Sequence, residues 1–290
     1  MLWFILAVGS AFSKSASQIL TKQLKDVGTL QLAAYSHIFS ALIILPLFGW
    51  IEIPTSQAFW IPTLLSTIMN VVAILLLIHA IKISELSYSI PFLSLTPVFA
   101  IAVAYLARSE EISLLSSTGI LLIVFGAFTI DTSSLKDVLQ FGGRRVFRDK
   151  GVQYIIIVAL IYSISSVCDK SATVASSPLT YVWIFTYTRA IIFAIMLIWQ
   201  YRNASSPHTK LKLNTFSILF FIGAIYFLEA IFQMLAFNHG NVAETIGVKR
   251  LSILFTSLSG FVMFKEKFSF SKIVGALTLV LGSIVIYHFR

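Results

Sequence analysis

Residues 152–173 read VQYIIIVALIYSISSVCDKSAT. At 1.5 Å per helical residue this apolar run is long enough to cross a hydrocarbon core of about 30 Å. Near its end it carries Asp169 and Lys170 in the tetrapeptide DKSA, and SKSA stands at Ser13 to Ala16 in the first apolar run of the chain. The offset between the two is 156 residues. The same gapless offset pairs Ser10 with Ser166, Ala34 with Ala190, Ala80 with Ala236, Glu110 with Glu266, Gly119 with Gly275 and Gly126 with Gly282. Apolar helices resemble one another by chance, but one ungapped register that also aligns Lys with Lys and Glu with Glu implies a duplicated unit.

The rest of the chain fits that reading. Of its 290 residues 58% are hydrophobic and 11% charged, against about 25% charged in a soluble domain, so a soluble fold is excluded. Apolar spans are expected at 2–21, 29–49, 58–80, 85–107, 113–130, 152–173, 179–200, 214–237, 243–264 and 270–288. The first run lacks a basic flank and a small-residue cleavage site, and it reads as a span, not a removed signal peptide. The expected fold is an all-α integral membrane protein with ten transmembrane helices: a first repeat at 1–130, a polar basic connector at 131–151 and a second repeat at 152–290. Five spans per repeat is an odd number, so the second copy enters the membrane from the opposite side. Such inverted repeats are the architecture of many secondary transporters, whose sites lie at the repeat interface.

Charge gives orientation. Lys and Arg number 21 against 12 Asp and Glu, a net +9, and the basic residues sit mainly in connectors, which argues against nucleic acid as a partner. One side of the membrane collects fourteen of them, from Lys22 and Lys25 to Lys267 and Lys272, and the other only Arg108 and Arg290. The positive-inside rule then puts 131–151 in the cytoplasm and both termini outside, in a plasma (inner) membrane. Cys168 is alone in an apolar span, so no disulfide framework or cysteine metal site is expected. There is no Walker glycine loop, HExxH, paired-Cys or G-x-S-x-G motif, hence no expectation of an enzyme, a cofactor or a metal.

Charged residues within spans are expensive in lipid and face protein or a wet cavity. In the first span Ser10, Lys14, Ser17 and Thr21 share a face, with Lys14 about 18 Å along the helix. In the ninth, Thr245, Lys249, Ser252, Thr256 and Ser259 form the longest polar stripe, with Arg250 beside it. Lys14 and Lys170 can also be read as snorkelling to the interface. Arg189 and Glu229 are candidates for a buried structural pair, and His37 and Asn70 either bind solute or make interhelical hydrogen bonds. Pro91 and Pro97 predict an irregular fourth span.

IPFLSLTPVFAIAVAYLARSEEIS at 90–113 and IGVKRLSILFTSLSGFVMFKEKFS at 246–269, with the paired Gly119 and Gly126, Gly275 and Gly282, resemble EamA-type members of the drug/metabolite transporter superfamily. The resemblance covers essentially the whole chain. It implies a permease for a small polar organic metabolite, such as an amino acid or organic anion, with efflux as family habit. Lys249 and Arg250 also resemble the adjacent Lys-Arg pair of triose-phosphate translocator relatives. A phosphorylated-metabolite or nucleotide-sugar-type exchanger therefore stays open, as does a non-transporting receptor or assembly protein on the same scaffold. The expected partners are the bilayer, a small-molecule substrate and a coupling proton or counter-substrate. Lys14, Lys249 and Arg250 are the first candidates to bind an anionic group, His37, Asn70 and Arg189 the second, and Glu229 and Glu244 the candidates for proton coupling.

Overall fold

The computed structural model describes residues 1–24, 26–83, 90–130, 149–203, 212–264 and 270–290. Among them there is no strand. In chain order the helices are α1 (Leu2–Gln23), α2 (Thr29–Ile44), α3 (Gln57–Ile83), α4 (Thr96–Arg108), α5 (Leu114–Ile130), α6 (Lys150–Val174), α7 (Pro178–Asn203), α8 (Leu213–His239), α9 (Val242–Lys249), α10 (Leu251–Phe264) and α11 (Phe270–Phe289). Short 3-10 segments at Leu45–Trp50 and Ile90–Leu95 extend α2 and lead into α4. Most of the connector expected at 131–151 lies outside the described residues.

Seven stretches are long and apolar enough to cross a membrane: Thr29–Trp50, Gln57–Leu77, Pro91–Arg108, Lys150–Val174, Pro178–Asn203, Leu213–His239 and Phe270–Phe289; Leu114–Thr129 is a shorter apolar helix. Three of the ten expected spans do not meet that standard among the described residues: the first, the fifth, which is the shorter helix at Leu114–Thr129, and the ninth. At 22 residues α1 is long enough, but Ser10, Ser13, Lys14, Ser15, Ser17 and Gln18 interrupt its apolar run. The ninth span is broken: the Arg250 N–H donates to Gly247 O at 2.9 Å and the Ile253 N–H to Arg250 O at 2.9 Å, a tight turn that separates α9 from α10. The fourth begins as 3-10 helix where Pro91 and Pro97 remove backbone donors. By the offset of 156, Ile90–Leu95 corresponds to 246–251, so the irregularity falls at equivalent positions, once with prolines and once without.

Large apolar side chains cover the outer surface, including Phe12, Ile68, Trp199, Phe221 and Leu277, each more than half exposed. In water such a surface is a liability, whereas against lipid tails it is the expected solvent-facing side. Small and hydroxylated residues fill the interior, with Ala7, Ser10, Ala11, Ser36, Ser66, Ala73 and Ser163 fully buried, the composition that lets spanning helices approach closely. Main pairings are α1 with α8, α3 with α6, α2 with α7 and α8, and α5 with α11. The last pair is antiparallel: Ser113 donates to Phe289 O at 2.5 Å, and a Cβ added to Gly119 would lie 2.8 Å from Gly282 O, one added to Gly126 2.8 Å from Gly275 O.

One end of the bundle is tied together by polar groups. Glu110, in the connector after α4, accepts from Lys170 Nζ at 2.6 Å, Arg108 Nε at 2.9 Å and the Val242 N–H at 2.9 Å. Lys170 also donates to Gly240 O at 2.7 Å, and Arg108 to Ser171 Oγ at 2.9 Å. Burial pushes the Glu110 carboxyl up, but its bonds to Lys170, the Val242 N–H and Arg108 outweigh that and hold it below the usual carboxylate range. Lys170 is thus buried in an ion pair and does not snorkel. Arg290 completes this end, pairing with Glu244 at 3.2 Å, donating to His239 O at 2.7 Å and lying over the Trp3 ring.

Candidate functional site

Lys14 lies twelve residues into α1, at a depth where an ammonium needs a partner. The partner is Glu229 on α8. Its Oε1 lies 3.5 Å from Lys14 Nζ and 2.7 Å from Lys249 Nζ, so one carboxylate serves two ammonium groups from helices separated by most of the chain. Lys249 also donates to Gln233 Oε1, one turn along α8. Ser10, one turn before Lys14, donates to the backbone carbonyl of Glu229 at 3.1 Å and fixes α1 against α8. The polar stripe of the ninth span faces α1 as well: Thr256 Oγ1 bonds to Ser15 Oγ at 3.0 Å and donates to Gln18 Oε1 at 3.2 Å. Lys14 keeps 28% of its side-chain exposure and Lys249 16%, so neither ammonium group is fully enclosed.

Arg250 follows Lys249 at the break between α9 and α10. Its Nε is buried without a hydrogen-bond partner among the described residues, and its charge lies within electrostatic reach of Tyr162 and Glu229. An unpaired guanidinium nitrogen away from water is costly unless something outside the chain meets it.

A second polar group lies between α3, α6 and α7. Asp169 is 5% exposed, and its Oδ1 accepts from Ser66 Oγ and from Tyr181 OH at 2.5 Å. Asn70 Nδ2 donates to the carbonyl and hydroxyl of Ser66 at 3.0 and 3.2 Å. Arg189 stacks 4.0 Å over the Phe185 ring, donates to Phe185 O at 3.4 Å, and lies within electrostatic reach of Asp169, Tyr181 and Glu229. His37 is buried at 4% exposure between Phe193 and Tyr226, its Nδ1 2.8 Å from Ala33 O. Because a carbonyl only accepts, that nitrogen carries the proton.

The structure therefore brings Lys14, Lys249 and Glu229 into contact, puts Arg250 beside them, joins Asn70 to Asp169 through Ser66, and leaves Glu244 with Arg290 at the end of the bundle. The buried pair expected between Arg189 and Glu229 does not form. Lys249 and Lys14 occupy that carboxylate, and Arg189 turns back onto Phe185, four residues earlier on its own helix. Sequence reasoning missed Gln233, Ser66, Tyr181 and Asp169 as site residues. Asp169 did carry a signal, being an acid well inside an apolar run.

With this geometry in view, the sequence matches the EamA-like transporter family over residues 1–131 and 149–288. The chain belongs to the EamA-like transporter family. It is a multi-pass integral membrane protein of the drug/metabolite transporter superfamily. A crystal structure, described simply as that of a protein, is similar to it with a TM-score of 0.78 at 14% identity over 99% of both chains, which shows a shared fold and nothing further. No curated protein matches the sequence. For an EamA-like transporter protein, basic residues within spans read as solute-binding or structural groups, and a transporter family fits a chain that is not an enzyme.

Proposed function

We propose that this protein is a secondary transporter that moves a small polar organic metabolite with an anionic group, such as an amino acid or organic anion, across a plasma-type membrane by alternating access. The moving parts are two inverted five-helix halves, 1–130 and 152–290, and export is the direction family habit favours. The observation that carries the reading is the interior set of Lys14, Lys249 and Arg250 around a single carboxylate, with one guanidinium nitrogen buried and unpartnered. Structural pairing alone would balance these charges, whereas three cations about Glu229 leave room for an anion.

The helix pairings support the two-halves reading. Under the offset of 156, α3 with α6 becomes α8 with α1, and the contact of Gly119 with Gly282 becomes that of Gly275 with Gly126; both members of each pair occur. A duplicated unit related by a two-fold axis produces that reciprocity, and rocking one half against the other exposes a site between them to each side in turn.

Lys249→Gln, Arg250→Gln and the double variant test the site, with solute binding and uptake normalised to folded protein. Truncating one partner of a desolvated, hydrogen-bonded charge contact costs about 2–5 kcal/mol, a loss of roughly 30-fold or more in affinity. Arg250→Lys should weaken binding as well if the contact is bidentate, because an ammonium lacks the planar fork. Unchanged affinity in all of them would remove the pair from the site.

A further inference from the structure

Two carboxylates of the described residues lie within the spanning helices, Asp169 and Glu229, and a third, Glu244, lies on the short α9. Glu229 is held by two ammonium groups and Glu244 by Arg290. Asp169 has no cation within ion-pair distance among the described residues, and its two hydrogen bonds come from neutral hydroxyls, Ser66 on α3 and Tyr181 on α7. Both donate to the same oxygen, Oδ1. Oδ2 takes part in neither bond, so a proton can bind there without either being given up. We propose that Asp169 is the proton-binding carboxylate of the transport cycle, alternating between carboxylate and carboxylic acid by gain and loss of one proton at Oδ2 while Ser66 and Tyr181 stay on Oδ1.

This deepens the transporter reading and rests on it. The charged groups facing Asp169 are Arg189 from α7 and Lys249 from α9; Tyr181 of α7 is its bonded donor, Cys168 its neighbour on α6, and α3 offers only Ser66. From α8 Glu229 is already paired, and from α4 Arg108 is bonded to Glu110 and Ser171. A change of one charge at Asp169 alters the surroundings of Arg189 and Lys249, and Lys249 belongs to the proposed solute site. Proton and solute occupancy are then linked, each changing the other's affinity by the same factor. The Ser66 bond also joins the first half to the second, so the protonation state acts where the two halves meet.

The test is an infrared titration of the full chain in lipid, following the C=O stretch of undissociated carboxylic acids over about pH 5 to 8. It needs no solute, so its failure is separate from failure of the solute site. Wild type should show a titrating carboxyl band that disappears in Asp169→Asn and persists in Glu229→Gln. Asn keeps the size and the acceptor oxygen. If that variant does not fold, Ser66→Ala and Tyr181→Phe each remove one donor and should move the midpoint of the band by about one pH unit, the equivalent of a hydrogen bond to a charged group. A band that survives Asp169→Asn, one lost in Glu229→Gln instead, no titrating band in wild type, or midpoints unmoved by both donor variants would each overturn the proposal.

Discussion

At Glu110 three donors converge on one side chain from α6, from the end of α4 and from the start of α9. Because they hold the folded-state carboxyl low, the stabilisation is complete above the ordinary carboxylate pKa and fades as pH falls through the lowered value. Acid should therefore lower the melting temperature of wild type below the usual carboxylate range. Glu110→Gln should melt earlier at neutral pH, by about 3–5 kcal/mol for a broken buried pair, and lose that acid dependence. A variant that melts like wild type at both pH values would show that these contacts carry no stability. Of such residues the sequence made the costly ones legible, because Lys14, Lys249 and Arg250 stand out in apolar runs whatever they touch. It did not make their partners legible. Whether Glu229 meets Arg189 or Lys249 depends on helix rotations of a few tens of degrees that no spacing encodes. Asp169 was seen as part of a repeat motif before it could be seen as an acid without a cation.

Helix identity and order were readable from hydropathy, since runs of about 20 apolar residues have few alternatives in lipid. Departures from regularity were half readable. Pro91 and Pro97 announce the 3-10 entry to α4, but the break at Arg250 has no proline, and the polar stripe from Thr245 to Ser259 assumed an unbroken helix. The glycines of α5 and α11 are legible in another way, as reciprocal pairs at the offset of 156. A Cβ at Gly282 would meet Gly119 O at 2.7 Å and Ile123 N at 2.9 Å, backbone atoms that move only if the helices separate. Gly282→Ala should cost about 1–3 kcal/mol, the range for overpacking, while Gly49→Ala, with nothing within 4 Å of its added Cβ, should cost nothing comparable. Thermal unfolding of both variants in one detergent makes the comparison, and equal melting temperatures would mean that α5 and α11 are not held in this close contact.

The whole molecule has two unlike ends. One gathers Arg108, Glu110, Lys170, Gly240 and Val242 into one set of ion pairs and hydrogen bonds, and Glu244 and Arg290 into a second, close to Trp3 and thus to the start of α1. The ten-span reading of the sequence assigns the connectors rich in basic residues, from Lys22 through 131–151 to Lys272, to the opposite side. Cytoplasmic connectors retain Lys and Arg because moving them across the membrane during insertion is unfavourable, and Asp and Glu count little in that balance. The polar set at the first end carries both signs and pairs internally, so it does not oppose translocation as unpaired lysines do. The orientation expected from the positive-inside rule puts the paired set and Arg290 outside and the segment 131–151 in the cytoplasm. A reporter active only outside the cytoplasm should therefore work when fused after Arg290 and fail when placed within 136–150, and a cytoplasmic reporter should give the reverse. Swapped signals from both fusions would invert the protein in the membrane without changing its helices. Signals from the same side at both positions would require an even number of crossings between 150 and 290, which is incompatible with a second half of five spans and hence with an inverted repeat.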